Sequence, residues 1–147
     1  MRWLFTTPAP IDHAPVVAAI KAAEAKTSGE IRVVIARHRA KHPIAAAEGH
    51  FYRLGMDRTA ERNSVLIFLA PRSRTFAVIG DRGVHEKCGE VFWTELATAM
   101  TDYFKRGEFT EGVVHGVERA GVLLAEHFPK SAADAGNKLP DDVEEVD

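Results

Sequence analysis

The sequence has a single cysteine, and it lacks both a long apolar run and an excess of positive charge. One cysteine excludes an intramolecular disulfide and is typical of a reducing compartment. No run approaches the roughly 18 apolar residues that a membrane helix needs. The apolar stretch at the N-terminus is too short for a signal peptide, so we expect a cytoplasmic protein. The net charge of −2 argues against a nucleic-acid partner, because general nucleic-acid binders are strongly basic.

The motifs of the common enzyme classes are also missing. There is no phosphate-binding glycine loop, nucleophile elbow or dinucleotide fingerprint, so we expect no nucleotide or organic cofactor. The segment that starts at His85 begins like a zinc-protease motif, but Gly89 stands where the second histidine belongs. Cys88 is in register with the apolar Val84 and Val91, which favours a buried structural thiol over a nucleophile. The sequence therefore offers no assignable catalytic residue.

The chain's 147 residues, 46% of them hydrophobic, suit one domain with a real core. Apolar residues recur at helical spacing in four segments, and three short, mainly apolar runs between them are predicted to be strands. We divide the chain into an N-terminal extension (1–12), an α/β domain (13–129) and an acidic, flexible tail (130–147).

The order of the predicted elements fixes a topology. The strands over 31–36 and 65–70 are joined by a helix, so they should be parallel, with a right-handed crossover. The strand over 75–79 follows a tight turn at Pro71 and should run antiparallel. Helices on both faces give a three-layer α/β/α sandwich with a small mixed sheet. This is a βαββ core with an N-terminal helix and two C-terminal helices.

This topology brings polar residues to one edge of the sheet. Glu30 and Asn63 stand where the two parallel strands begin, and Asp81 stands where the antiparallel strand ends. The loop that enters the second strand adds Asp57, and the segment that leaves the third adds Glu86. Several carboxylates held together repel one another, and a hard divalent cation relieves that repulsion.

We therefore predict a Ca²⁺ or Mg²⁺ site, because oxygen ligands favour these ions over zinc. Its predicted ligands are Glu30, Asp57, Asp81 and Glu86, with Ser28, Asn63, Arg82 and His85 as nearby polar groups. The alternative is a solvated rim in which acidic and basic charges mix. The opposite edge is basic and fits either an anionic ligand or lipid surface, or merely solubilising charge; its residues are Arg37, Arg39, Lys41, Arg72 and Arg74.

Four segments together resemble a known family. They are TSGEIRV at 27–33, NSVLIFLA at 63–70, IGDRGV at 79–84, and the stretch from Phe104 to Leu124 with Gly107, Phe109 and Gly112. Their order and spacing resemble the TPM domain family. The resemblance implies an α/β sandwich, divalent metal binding in some members and acid phosphatase activity in a plant relative. It also implies links to membrane-complex maintenance and, in bacteria, to LemA-type membrane proteins. Asp81 and Arg82 depart from the family pattern, which often has an aromatic there.

Three hypotheses follow. The first is a non-catalytic accessory or regulatory domain that binds a divalent cation and a protein partner, of which a LemA-type membrane protein is the example implied by the resemblance. The second is a metal-dependent, acid-phosphatase-like hydrolase with His85 as proton carrier. The third is peripheral membrane association through the basic edge and the segment Trp3–Phe5.

Overall fold

The computed structural model describes residues 11–130 and 143–146. The helices and strands of this part of the chain are, in chain order, α1 (His13–Glu24), β1 (Glu30–Ala36), α2 (Pro43–Arg53), β2 (Ser64–Ala70), β3 (Thr75–Gly80), α3 (Arg82–Cys88), α4 (Glu90–Lys105), α5 (Phe109–His127) and β4 (Val143–Val146). Short 3₁₀ turns cover Met56–Arg58 and Pro71–Ser73. The predicted mixed α/β fold class is confirmed.

The four strands form one mixed sheet in the order β3-β2-β1-β4. β1 and β2 are parallel and β2 and β3 antiparallel, as predicted. Every residue of β1 and β2 is buried, because helices cover both faces of these strands. Local signals support the helices as well. Asp12 caps α1 by accepting a hydrogen bond from the backbone N–H of Ala14 at 3.2 Å, and Pro43 opens α2.

Alternating residues of the strands divide the core into two halves. On one face, Val33 and Ile67 belong to the larger half, which α1, α4 and α5 cover. On the other face, Val34 and Phe68 pack in the smaller half, under α2. These layers form the predicted sandwich. None of the described helices is long and apolar enough to cross a membrane.

Helix α5 approaches its neighbours very closely at glycines. A Cβ atom built on Gly112 would lie 2.6 Å from a ring carbon of Phe104, and one on Gly121 would lie 2.6 Å from Cβ of Ala23. Real side chains do not tolerate such distances, so α4 and α1 can pack against α5 only where it carries no side chain.

Two features differ from the sequence prediction. The third of the four predicted helices, marked by apolar residues from Cys88 to Phe104, extends across two helices, because Gly89 adopts a positive φ of 72° between α3 and α4. Val143–Val146, which lie within the predicted tail over 130–147, add to the sheet as β4, parallel to β1. Residues 131–142 and 147, residues 1–10 of the N-terminal extension, and with them the segment Trp3–Phe5, lie outside the described residues.

Candidate functional site

The backbone places the predicted acidic residues at one edge of the sheet. Glu30 pairs with Ser64 across the parallel strands. Asp81 directly follows β3, and its N–H donates to the carbonyl oxygen of Ser64 at 2.9 Å. The topological expectation is therefore met. We name this surface the polar edge and define it by Ser28, Glu30, Glu61, Arg62, Asn63, Ser64 and Asp81.

A small hydrogen-bond chain crosses the polar edge. Ser28 Oγ accepts a bond from Asn63 Nδ2 at 3.1 Å and donates to Glu61 Oε1 at 3.3 Å. Asn63 is fully buried, and its Oδ1 has no hydrogen-bond partner in the described part of the chain; the same holds for Oγ of the fully buried Ser64. Buried oxygens of this kind normally have a partner. The polar edge therefore offers two oxygens that can still accept a donor or a cation.

Asp81 is held by a two-pronged ion pair with Arg62. Its carboxylate accepts from Arg62 Nε at 2.7 Å and from an Arg62 terminal nitrogen at 2.9 Å. It also caps α3 by accepting from the backbone N–H of Arg82 at 2.8 Å. Asp81 is only 6% exposed, so a buried carboxylate is matched by a planar guanidinium.

Arg62 is positioned by its backbone as well as by its charge. It has a left-handed φ of 53°, uncommon for a residue other than glycine. Its carbonyl oxygen accepts from the N–H of Gly83 at 2.9 Å, which joins this loop to α3. The hydrogen bonds to Asp81 raise the pKa of Arg62, and the negative charge of Asp57 acts in the same direction. The polar edge thus concentrates negative charge around one cation, the guanidinium of Arg62.

The four predicted ligands do not form one cluster. Asp57 is half-buried in the 3₁₀ turn, and Glu86 is exposed on α3 beside the exposed Arg82 and His85. Among residues 11–130 and 143–146, no group of three or more His, Cys, Asp or Glu side chains is placed to hold a metal ion. The assignment of these residues as metal ligands stays a prediction.

A pocket of about 340 Å³ opens beside the polar edge. Its lining combines two arginines, a histidine, two carboxylates and an aromatic wall, contributed by Glu48, Phe51, Tyr52, Arg62, Ile79, Gly80, Asp81, Arg82 and His85. Two guanidinium groups and an imidazole in one concave surface suit an anionic group such as a phosphate.

Sequence reasoning missed Arg62, which is the partner of Asp81. The topological argument that placed Asp81 at this edge applies equally to Arg62, since Arg62 directly precedes Asn63 and β2. The predicted ligands of the site were all oxygen donors, so the guanidinium of Arg62 in the same loop was given no role. Tyr52 and Glu48 on α2 were also missed, because nothing local to α2 shows that it covers this end of the sheet.

Cys88 is half-buried at the end of α3 and packs against the larger core. Burial raises the pKa of its thiol. Since the thiolate is the reactive form, this environment agrees with a structural thiol rather than a nucleophile.

Comparisons with known proteins agree with this architecture. The model of the TPM domain family matches residues 10–123 of the chain. A solved structure, the NMR structure of the BA42 protein from the psychrophilic bacterium Bizionia argentinensis, is similar, with 37% sequence identity and a TM-score of 0.80. The similarity covers 88% of this chain and 89% of that one. No curated protein matches the chain. The chain belongs to the TPM domain family.

Proposed function

We propose that this chain is a TPM accessory domain that binds a divalent cation, Ca²⁺ or Mg²⁺, at the polar edge and recognises a protein partner without being catalytic. The observation that carries the proposal is the position of the Arg62 guanidinium, which lies against Asp81 and within the field of Asp57. A surface that gathers negative charge around one cation is suited to bind another.

The residues at the polar edge fit a hard cation only if Arg62 moves away. Asp81 would then be left with a negative charge that an ion can neutralise. The buried Asn63 Oδ1 and Ser64 Oγ supply neutral oxygens of the type that Ca²⁺ and Mg²⁺ accept. Glu30 contributes a second buried carboxylate at this edge. Arg62 would thus compete with the ion and tune its affinity.

This competition gives a direct prediction. Arg62→Asn removes the guanidinium and keeps a residue type that tolerates the left-handed backbone, so we expect Ca²⁺ or Mg²⁺ to bind about tenfold more tightly than to the wild type, which corresponds to about 1.4 kcal/mol. Asp81→Asn should weaken binding by at least a similar factor, since asparagine preserves the helix cap but removes the charge. Calorimetric titration, together with the melting temperature at millimolar ion, measures both effects.

The matched control is Asp102→Asn, which removes one exposed carboxylate from α4 and should leave the titration unchanged. The absence of binding heat and of any rise in melting temperature at millimolar ion, in both the wild type and Arg62→Asn, would contradict the proposal. Equal affinities for Arg62→Asn and Asp81→Asn would also contradict it.

The pocket beside the polar edge supports a second candidate function, a metal-dependent, acid-phosphatase-like hydrolase. Arg62 and Arg82 could hold a phosphoryl group, and His85 lines the same pocket as the available proton carrier. We rank it second because the sequence has no motif that pairs a nucleophile with a base.

For the hydrolase, we expect purified protein to hydrolyse a chromogenic phosphate monoester, with turnover lost on Asp81→Asn and retained on Asp102→Asn. A steady-state assay with and without added Mg²⁺ measures this. Turnover that persists in Asp81→Asn would show that it arises elsewhere, and no turnover in any variant would leave only the accessory role.

The partner and the cellular location belong to the same proposal. The family resemblance supports a LemA-type membrane protein as partner. The proposed location, cytoplasmic or peripheral to the membrane, is the one expected from the sequence.

A further inference from the structure

The free edge of β1 is covered by a short strand from the far end of the chain. β4 pairs in parallel with β1, in a register that runs from Val33 opposite Val143 to Ala36 opposite Val146. The N–H of Arg37 extends this ladder by donating to the carbonyl oxygen of Val146 at 2.7 Å. β4 thus occupies an edge that could pair with any extended segment.

Both acidic residues of β4 form ion pairs with basic side chains. On the α2 face, Glu144 lies 3.0 Å from Arg53 and 3.7 Å from Arg32. On the α1 face, Glu145 lies 2.8 Å from His13 and 3.8 Å from Arg37. The four basic residues belong to α1, α2, β1 and its exit, so this charge pattern is built by the domain itself. We call the β1 edge with these four residues the strand groove.

Burial distinguishes Arg32, and a hydrogen bond orients Arg53. Arg32 is only 8% exposed, and its Nε has no hydrogen-bond partner among the described residues. A buried guanidinium needs an acidic neighbour, which here is Glu144. Arg53 is oriented by donating to His50 Nδ1 at 3.2 Å. The strand groove therefore prefers an acidic residue at the position of Glu144.

The apolar ends of β4 enter the two halves of the core. Val143, 5% exposed, belongs to the larger half, and Val146 packs against the smaller half. The strand groove therefore selects a four-residue pattern of apolar, acidic, acidic and apolar side chains in an extended conformation.

The connection to β4 is longer than the path requires. Lys130 is held near the start of β1, where its N–H donates to Lys26 at 3.3 Å. The distance from Lys26 to Val33, which is the strand partner of Val143, is at most about 24 Å even if this segment is fully extended. The thirteen steps from Lys130 to Val143 can span about 43–47 Å. The number of residues in this connection is therefore large enough for β4 to remain attached to the chain while unpaired from β1.

We propose that the strand groove is a binding site for an extended acidic segment of a partner protein, and that β4 is its tethered, displaceable occupant. The partner's segment adds to β1 in parallel and brings the same apolar–acidic–acidic–apolar pattern. This deepens the partner part of the proposed function. The strand groove lies along the side of β1, whereas the proposed cation site lies where β1 and β2 begin. Either proposal can therefore fail without the other.

The test uses the full chain and a synthetic peptide with the sequence of residues 140–147, PDDVEEVD. In the double variant Glu144→Lys/Glu145→Lys, the lysines oppose the basic residues and release β4. We expect the peptide to bind this variant about tenfold or more tightly than the wild type, in which the tether gives β4 a high effective concentration. Backbone amide shifts of the isotope-labelled chain, read at Arg37, measure the affinity.

The control variant Glu111→Lys/Glu118→Lys makes the same charge change at exposed positions of α5 and should bind the peptide as the wild type does. A control peptide with two lysines in place of the glutamates should not bind. Equal binding of PDDVEEVD to the released and wild-type chains would overturn the proposal. A wild-type chain that forms dimers by exchanging β4 would also overturn it, in favour of a second copy as the occupant.

Hydrogen exchange of the wild-type chain tests the same proposal without any substitution. The Arg37 amide, which donates to the carbonyl oxygen of Val146 at the end of the β1–β4 ladder, should exchange about tenfold or more faster than amides of β2, because β4 opens locally. Exchange at Arg37 as slow as in β2 would mean that β4 leaves only on global unfolding, and the proposal would be wrong.

Discussion

Replacing Phe104 with alanine is expected to lower the free energy of unfolding by about 3–5 kcal/mol. Phe104 is fully buried near the end of α4. Its ring meets Phe76 of β3 edge-on at a centroid distance of 5.2 Å and stacks on Phe109 of α5 at 5.9 Å. The missing side chain of Gly112 makes room for it. Alanine would leave a cavity among three elements that a close-packed core cannot easily fill.

Urea unfolding followed by circular dichroism measures this loss. Val91→Ala, at a position of the same helix that is 72% exposed, is the control and should change the stability by less than about 0.5 kcal/mol. A loss below about 1 kcal/mol for Phe104→Ala would show that the contact between β3, α4 and α5 is looser than the described packing.

Replacing Gly83 with alanine is expected to destabilise the protein by about 1–3 kcal/mol and to change cation binding at the polar edge. A Cβ atom at Gly83 would lie 2.3 Å from the carbonyl oxygen of Glu61 and 2.7 Å from that of Arg62. Both are backbone atoms and cannot rotate away. The start of α3 would have to separate from the loop before β2, and the Asp81–Arg62 pair joins these two segments.

The expected result is a lower melting temperature together with a changed Ca²⁺ or Mg²⁺ titration. Gly49→Ala is the matched control, because a Cβ there meets nothing within 4 Å inside α2. It should raise the stability by about 0.5–1 kcal/mol through helix propensity. Wild-type stability and wild-type ion binding in Gly83→Ala would contradict the close contact of α3 with the loop.

The central strands could be predicted from sequence because they are short runs of mostly apolar residues. The segment from Val65 to Ala70 is a clear example, since a continuous apolar run of this length is typical of a strand covered on both faces. The split between α3 and α4 could not be predicted, because the apolar spacing of Val84, Cys88 and Val91 runs across the break at Gly89. One glycine in a helical pattern does not by itself show a positive φ.

β4 could not be predicted because its sequence, with two glutamates in four residues, resembles the solvated acidic segment around it. The residues that stabilise it, among them Arg32, Arg53 and His13, lie about 90 or more positions away along the chain. Long-range charge complementarity leaves no local pattern to detect.

The candidate site was predictable as a place but not as a set of contacts. Strand directions alone bring Glu30 and Asp81 to one edge. The pairing of Asp81 with Arg62 depends on a left-handed turn at Arg62, a conformation that the residue type does not favour.

The close approaches of α5 set how this helix can form at all. Glycine costs a helix interior about 1 kcal/mol relative to alanine, and α5 carries it at Gly112, Gly116 and Gly121, each beneath a side chain of a neighbouring element. Those glycines weaken the helix on its own while permitting the tight fit that stabilises it in the assembled domain. For α5, helix formation and packing onto its neighbours are therefore one cooperative event. The isolated segment would lose the contacts that stabilise its helix.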